Sequence, residues 1–184
     1  DKTEFIFVSD LIATIQKILP EAALYEQLAE ECSELCKELL KKARKIRNEN
    51  YTPKTHEEID ANIIEEYTDV LICTDVLNIH VDYDRLESKD DYFKEISEAS
   101  IYSQLACTCA DLCTHAIGMS ERIRQTKFLH EERRYDDIWL DNIIKTFEWV
   151  VQYADYIGID IDYQMYKKKM HRWISRNASN NTID

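Results

Sequence analysis

Apolar residues recur along the chain with helical spacing. Leu24, Leu28, Cys32, Leu35, Leu39 and Ala43 form one stripe, and Ile59, Ile63, Tyr67, Val70, Thr74 and Leu77 form another. Steps of three and four residues put each set on one face of an α-helix. The pattern predicts six helical segments, at about 10–19, 21–48, 56–80, 95–125, 136–157 and 163–176. Pro20 and the acidic Glu21 suit the start of the second segment. The stretch 48–55 reads as a loop, with Thr55 as N-cap and Glu58 completing a capping box. Residues 82–92 read as a linker and 177–184 as a frayed polar tail. The expected fold class is therefore all-α, an antiparallel helical bundle in one domain covering 1–184.

The segments repeat. Residues 24–36 (LYEQLAEECSELC) align with 101–113 (IYSQLACTCADLC) at an offset of 77, and Ile46-Arg47 with Ile123-Arg124. Asn62-Ile63-Ile64 aligns with Asn142-Ile143-Ile144 at an offset of 80, as do Asp75 with Asp155 and Asp82-Tyr83 with Asp162-Tyr163. Apolar periodicity alone does not produce matching Tyr, Gln, Asn and Asp positions. The pattern predicts two tandem helical hairpins, 21–82 and 95–162, packed as a pseudo-dimeric four-helix core with terminal helices.

Composition narrows the function. Among 184 residues there are two glycines, Gly118 and Gly158, 40 positions apart. A Walker loop or a dinucleotide fingerprint needs clustered glycines, so neither is present. With 36 acidic against 23 basic side chains, the net charge of −13 disfavours nucleic acid and anionic membranes as partners. No run is apolar enough to span a bilayer and no signal peptide is visible, so the expected location is cytoplasmic. The six cysteines lie in apolar helical patterns and are expected to be reduced and buried.

The candidate chemistry lies beside the first repeat's stripes. On a helix, Glu31 and Glu34 share one flank, with Gln27 and Glu38 in line; on the next, Glu66 and Asp69 share a flank with Asn62 and Cys73. If these helices are antiparallel neighbours, four carboxylates converge. Such a cluster is costly unless a cation offsets the repulsion. All-oxygen donors favour a hard ion, Mg2+ first and Mn2+ second, with Glu31, Glu34, Glu66 and Asp69 as ligands. None of the five histidines has a Glu three residues before it, which argues against a di-iron carboxylate bundle.

Glu30-Glu31-Cys32-Ser33-Glu34 followed by Glu66-Tyr67-Thr68-Asp69-Val70-Leu71 resembles the E-E-x-x-E … E-x-x-D signature of the MazG-like all-α NTP pyrophosphohydrolases, a superfamily that includes dimeric dUTPases and dCTP pyrophosphatases. Asn50-Tyr51-Thr52-Pro53 is similar to the Asn-x-Thr-Pro loop of phage-type members. The resemblance covers about 25–82. It implies Mg2+-dependent hydrolysis of a nucleoside triphosphate to the monophosphate and pyrophosphate, as in nucleotide-pool house-cleaning. It also implies that Glu30 or Glu38 tunes the site or positions water. Lys42, Arg44, Lys45 and Lys54, from a basic cluster that also includes Lys41 and Arg47, become candidates to hold the distal phosphates. Gln27 and Asn62 become candidate substrate contacts. The second repeat keeps one of the four carboxylates, as Asp111; Thr108, Thr146 and Trp149 replace the others. That half is expected to bind no metal, with Trp149, Tyr153, His115 and Gln104 lining the nucleobase end. Family members assemble as dimers or tetramers, so a homo-oligomer is one expectation, and internal pairing of the repeats is the other. The alternative function is a non-catalytic helical module that binds a nucleotide or a partner.

Overall fold

The computed structural model describes residues 7–129 and 136–180. Among these residues the protein is all-helical, without strands. Seven α-helices follow in order: α1 (Val8–Ile18), α2 (Glu21–Arg47), α3 (His56–Val76), α4 (Asp90–Lys94), α5 (Glu98–Leu129), α6 (Asp136–Ile157) and α7 (Tyr163–Asn180). A 3-10 turn at Tyr83–Arg85 precedes α4. Three local expectations are corrected. The second segment's partner helix ends at Val76 and not near His80. The stretch 82–92 contains the turn and the start of α4, which continues to Lys94 and leaves Phe93 2% exposed. Helix α7 runs through Asn177 to Asn180, so that part of the tail is not frayed.

Local chemistry explains the helix ends. Thr55 Oγ1 accepts from the Glu58 backbone N–H at 3.2 Å while Glu58 Oε2 accepts from the Thr55 N–H at 2.7 Å, which starts α3 with a reciprocal capping box. Helix α3 stops at a left-handed Asn78 (φ 56°), and the Ile79 N–H bonds Thr74 O at 2.8 Å. Helix α6 stops in the same way at Gly158 (φ 81°), with the Ile159 N–H on Ala154 O at 3.0 Å. These are matching Schellman closures at repeat-related positions. Gly118 serves a different purpose: a Cβ there would lie 3.0 Å from the Trp139 ring, so its absence lets α6 approach α5.

Helices α2 and α5 pack against each other at the centre, α3 against α2, and α6 against α5. Lys42–Asp60 and Glu38–Asn62 run in opposite chain directions, which makes α2 and α3 antiparallel. Arg124 bridges to Glu26, and Arg47 donates to Ser103 Oγ at 3.1 Å. The offset of 77 turns Glu26 into Ser103 and Arg47 into Arg124, so these two contacts are a pseudo-twofold pair. The core repeats across it: Leu28, Leu35, Leu105 and Leu112 are each 0% exposed. A smaller apolar cluster of Leu11, Ile15, Leu24, Ile72, Val76, Tyr166 and Met170 holds α1 and α7 on the outside of α2 and α3. The Tyr166 hydroxyl donates to Asp75 and adds a polar pin.

Candidate metal centre

The flanking carboxylates of α2 and α3 come together because the antiparallel pairing places Glu31 and Glu34 opposite Glu66. One carboxylate oxygen from each of these three lies within 4.8 Å of the others. The donor set is all oxygen and suits a hard divalent cation. Without one the cluster is strained electrostatically. Burial, then Asp69 and Glu34, push Glu31 up to about 7 against an opposing hydrogen bond from Gln27. Burial, then Glu34 and Asp69, push Glu66 up to about 7 as well, with a hydrogen bond shared with Glu34. Gln27 Nε2 donates to Glu31 Oε1 at 2.6 Å and fixes its orientation. Asp69 lies on the same cleft but is engaged by Lys169 of α7 at 2.5 Å. Burial raises the Asp69 pKa, and the Lys169 ammonium opposes that rise.

These carboxylates line a cleft of about 680 Å3. Its floor comes from α2 and α3, with Gln27, Glu30, Glu65 and Cys73 beside the cluster. Its far wall comes from α7, which contributes Lys169, Arg172, Trp173, Arg176 and Asn177. Thus one wall is anionic and the other cationic.

The other candidates lie elsewhere. Glu38 is 5% exposed and is held by Lys41 and by Asn62 Nδ2 at 3.2 Å. Burial opposes ionisation of Glu38, but these donors outweigh it and lower its pKa. Asn62 is therefore a partner of Glu38 and is not on the cleft. Lys42 is 6% exposed, pairs with Asp60 and lies 5.8 Å from the Tyr102 ring centroid. Lys45 donates to Thr52 O at 3.1 Å. Neither Arg44 nor Lys54 lines the cleft. Lys42 and Lys45 thus tie α2 to α3 and the loop before it, Arg47 reaches α5, and the cleft's cations come from α7. The sequence pattern predicts this segment only as a helix at about 163–176 and assigns none of its residues to the site. Two signals pointed there: Lys169, Arg172 and Arg176 share a helical face, and Lys169 matches Lys89 when the offset of 80 is continued.

Trp149 lines a separate cleft of about 380 Å3 with Tyr92, Thr108, Asp111, Lys145, Thr146 and Tyr153. Trp149, expected to line the nucleobase end of the pocket, does not line the carboxylate cleft. Gln104 is engaged by two phenols, Tyr92 at 2.7 Å and Tyr153 at 2.8 Å. His115 packs edge-on to Trp139 with ring centroids 6.4 Å apart and lines neither cleft. The cysteines are free thiols; Cys32, Cys73 and Cys109 are buried, but Cys107 is exposed, against expectation. No helix among the described residues is long and apolar enough to cross a membrane. Comparison with family models, curated proteins and solved structures gave no match.

Proposed function

We propose that this protein is a Mg2+-dependent nucleoside triphosphate pyrophosphohydrolase, converting a (d)NTP and water to a (d)NMP and pyrophosphate. The observation that carries this reading is the convergence of Glu31, Glu34 and Glu66 within 4.8 Å on a cleft whose other wall is cationic. A polyphosphate needs both a cation to neutralise it and basic groups to hold its remaining charge. Mg2+, or Mn2+ in its place, would supply Lewis acidity there when bound.

The chain's own residues divide the remaining tasks. Glu31, Glu34 and Glu66 hold the cation, with Asp69 as the fourth ligand candidate. Gln27 orients Glu31. Glu30 lines the cleft, whereas Glu38 is committed to Lys41 and Asn62. Glu30 is therefore the carboxylate assigned to position the attacking water and accept its proton. The Trp173 ring on the α7 wall offers a surface for stacking a nucleobase.

A panel of canonical and modified triphosphates with pyrophosphate detection tests the reading. Turnover is expected with Mg2+ or Mn2+ and is expected to vanish with EDTA and in Glu66→Gln. No release from any triphosphate with either ion overturns it. Nucleotide-induced stabilisation without turnover would instead favour a non-catalytic nucleotide-binding module.

A further inference from the structure

The cleft carries an imbalance of charge. Seven of its lining residues are carboxylates and three are basic, Lys169, Arg172 and Arg176. A bare anion is repelled by that excess, whereas a cation-complexed anion is not. The three basic residues differ in what they do. Lys169 is nearly buried, its side chain 12% exposed, and its Nζ lies 2.5 Å from Asp69 Oδ2 and 3.3 Å from Glu65 Oε1. Arg172 and Arg176 are exposed and make no ion pair among the described residues. Spacings of three and four residues put all three on one face of α7. Lys169 therefore sits where a cation is needed beside the fourth carboxylate, while Glu31, Glu34 and Glu66 cluster without Asp69.

We propose that Lys169 is an exchangeable counter-cation: it neutralises Asp69 in the metal-free protein, is displaced when a divalent cation enters, and then holds the ligand's polyphosphate with Arg172 and Arg176. The inference rests on the function proposed above and assigns the anion-holding half of that site to α7. Two like charges compete for Asp69, so a cation bound by the four carboxylates repels the ammonium. The ammonium has a flexible four-carbon stem and needs only a short swing to meet a phosphate on the same wall. The two arginines, unpaired and forked, suit bidentate contacts with phosphate oxygens. The site thereby couples its two ligands: the metal frees the lysine that the phosphate chain needs.

The coupling gives effects of opposite sign in one variant. Calorimetry would measure Mn2+ binding alone, then inorganic triphosphate binding in saturating Ca2+. Lys169→Met keeps the apolar stem and removes the charge. It is expected to tighten Mn2+ about tenfold and weaken triphosphate about tenfold, each a change of about 1.4 kcal/mol. Arg172→Gln and Arg176→Gln are expected to leave Mn2+ within about twofold and weaken triphosphate several-fold. Wild-type protein is expected to bind triphosphate only with the divalent ion present. A purely structural Lys169 would weaken both ligands in Lys169→Met, and that result overturns the proposal. So does unchanged triphosphate binding in the two arginine variants, which keep the protein testable if Lys169→Met does not fold. Wild-type protein that binds both ions in this pattern yet hydrolyses no triphosphate keeps this inference and removes the proposed reaction.

Discussion

Two clefts are lined by repeat-related positions, and only one of them carries the carboxylate cluster. Glu31, Glu34, Glu65, Glu66, Asp69 and Cys73 line the first. Offsets of 77 and 80 convert these to Thr108, Asp111, Lys145, Thr146, Trp149 and Tyr153, which all line the second. The correspondence extends to the covering segments. Lys169 reaches Asp69 in the first; its counterpart Lys89 lies 5.6 Å from the Trp149 ring centroid in the second. Each cleft is thus covered by the segment that trails the other hairpin: α7 follows α6 but covers α2 and α3, while α4 follows α3 and meets Trp149 through Tyr92. The glutamine shows how the chemistry diverges. Gln27 donates to a carboxylate, whereas Gln104 accepts from two phenols. The lesson is that packing symmetry and chemical symmetry are separable. Apolar positions were kept on both sides of the pseudo-twofold, and the carboxylates on one.

Matched substitutions across that pseudo-symmetry probe the difference. The largest contrast is expected between Glu34→Gln and its counterpart Asp111→Asn. Glu34 is one of three clustered donors, so its loss should lower Mn2+ affinity and any Mg2+-dependent turnover by roughly 10²–10³-fold. Asp111→Asn should leave both within about twofold, because its neighbours are Thr108, Thr146 and Trp149. Calorimetry with Mn2+ measures the first quantity on either variant. Equal losses would mean that the second cleft also binds a cation.

Stability should behave in the opposite way. Leu28 and Leu105 are both 0% exposed and face the same central seam. Leu28→Ala and Leu105→Ala should each cost about 2–5 kcal/mol in urea unfolding, and the two costs should agree within about 1 kcal/mol. A difference of several kcal/mol would show that one hairpin is stabilised far more than the other. Mn2+ binding by folded Leu105→Ala should stay near the wild-type value.

Most of this frame was legible in the sequence, because periodicity and the repeat report burial directly. The stripes at Leu28, Leu35 and Ile63 are core residues, and the Thr55–Glu58 box forms. Convergence of Glu31, Glu34 and Glu66 followed from antiparallel pairing of two flanks. The shared face of Lys169, Arg172 and Arg176 was readable, but not that it forms the cationic wall of this cleft, because that depends on which helices the distant segment docks against. Basic residues near the end of α2 favour a helix C-terminus whether or not they bind phosphate. Lys42 illustrates the ambiguity: the resemblance made it a candidate phosphate ligand, but its ammonium is engaged by Asp60 and lies over the Tyr102 ring. Trp149 sits at the position of Asp69 by offset, but the pseudo-twofold puts that position on a different cleft.

The electrostatic asymmetry has its own signature in pH. Glu31 and Glu66 are pushed up to about 7 from 4.5, mainly by burial and then by neighbouring carboxylates. A carboxyl whose folded pKa exceeds its unfolded value binds protons more tightly in the folded state. Between the two values the folded protein holds more protons than the unfolded chain, so stability falls as pH rises. The metal-free Tm should therefore drop by a few degrees between about pH 4.5 and 7. Glu38, whose pKa is lowered, acts below that window, where its stabilisation is lost as pH falls. Glu31→Gln/Glu66→Gln should flatten the decline, and millimolar Mg2+ should reverse it at pH 8. A Tm that rises through the same window in the metal-free protein would contradict the cluster's strain.

The smallest contrast lies at the two helix closures, where the halves share a geometry but not a residue. Asn78 and Gly158 both hold positive φ, at 56° and 81°. Left-handed backbone costs a residue with a Cβ about 1–2 kcal/mol, less for Asn, whereas glycine adopts it freely. Nothing lies within 4 Å of a Cβ added at Gly158, so Gly158→Ala isolates this backbone cost from any clash. It should lose about 1 kcal/mol in urea unfolding, and Asn78→Gly should be neutral or slightly stabilising. Metal affinity should be unchanged in both, because neither position lines the carboxylate cleft. If Gly158→Ala weakens triphosphate binding while Mn2+ binding holds, the closure after α6 also sets the path by which α7 reaches the other hairpin. The contrast between the halves would then begin at this turn, ahead of the residues that face the cleft.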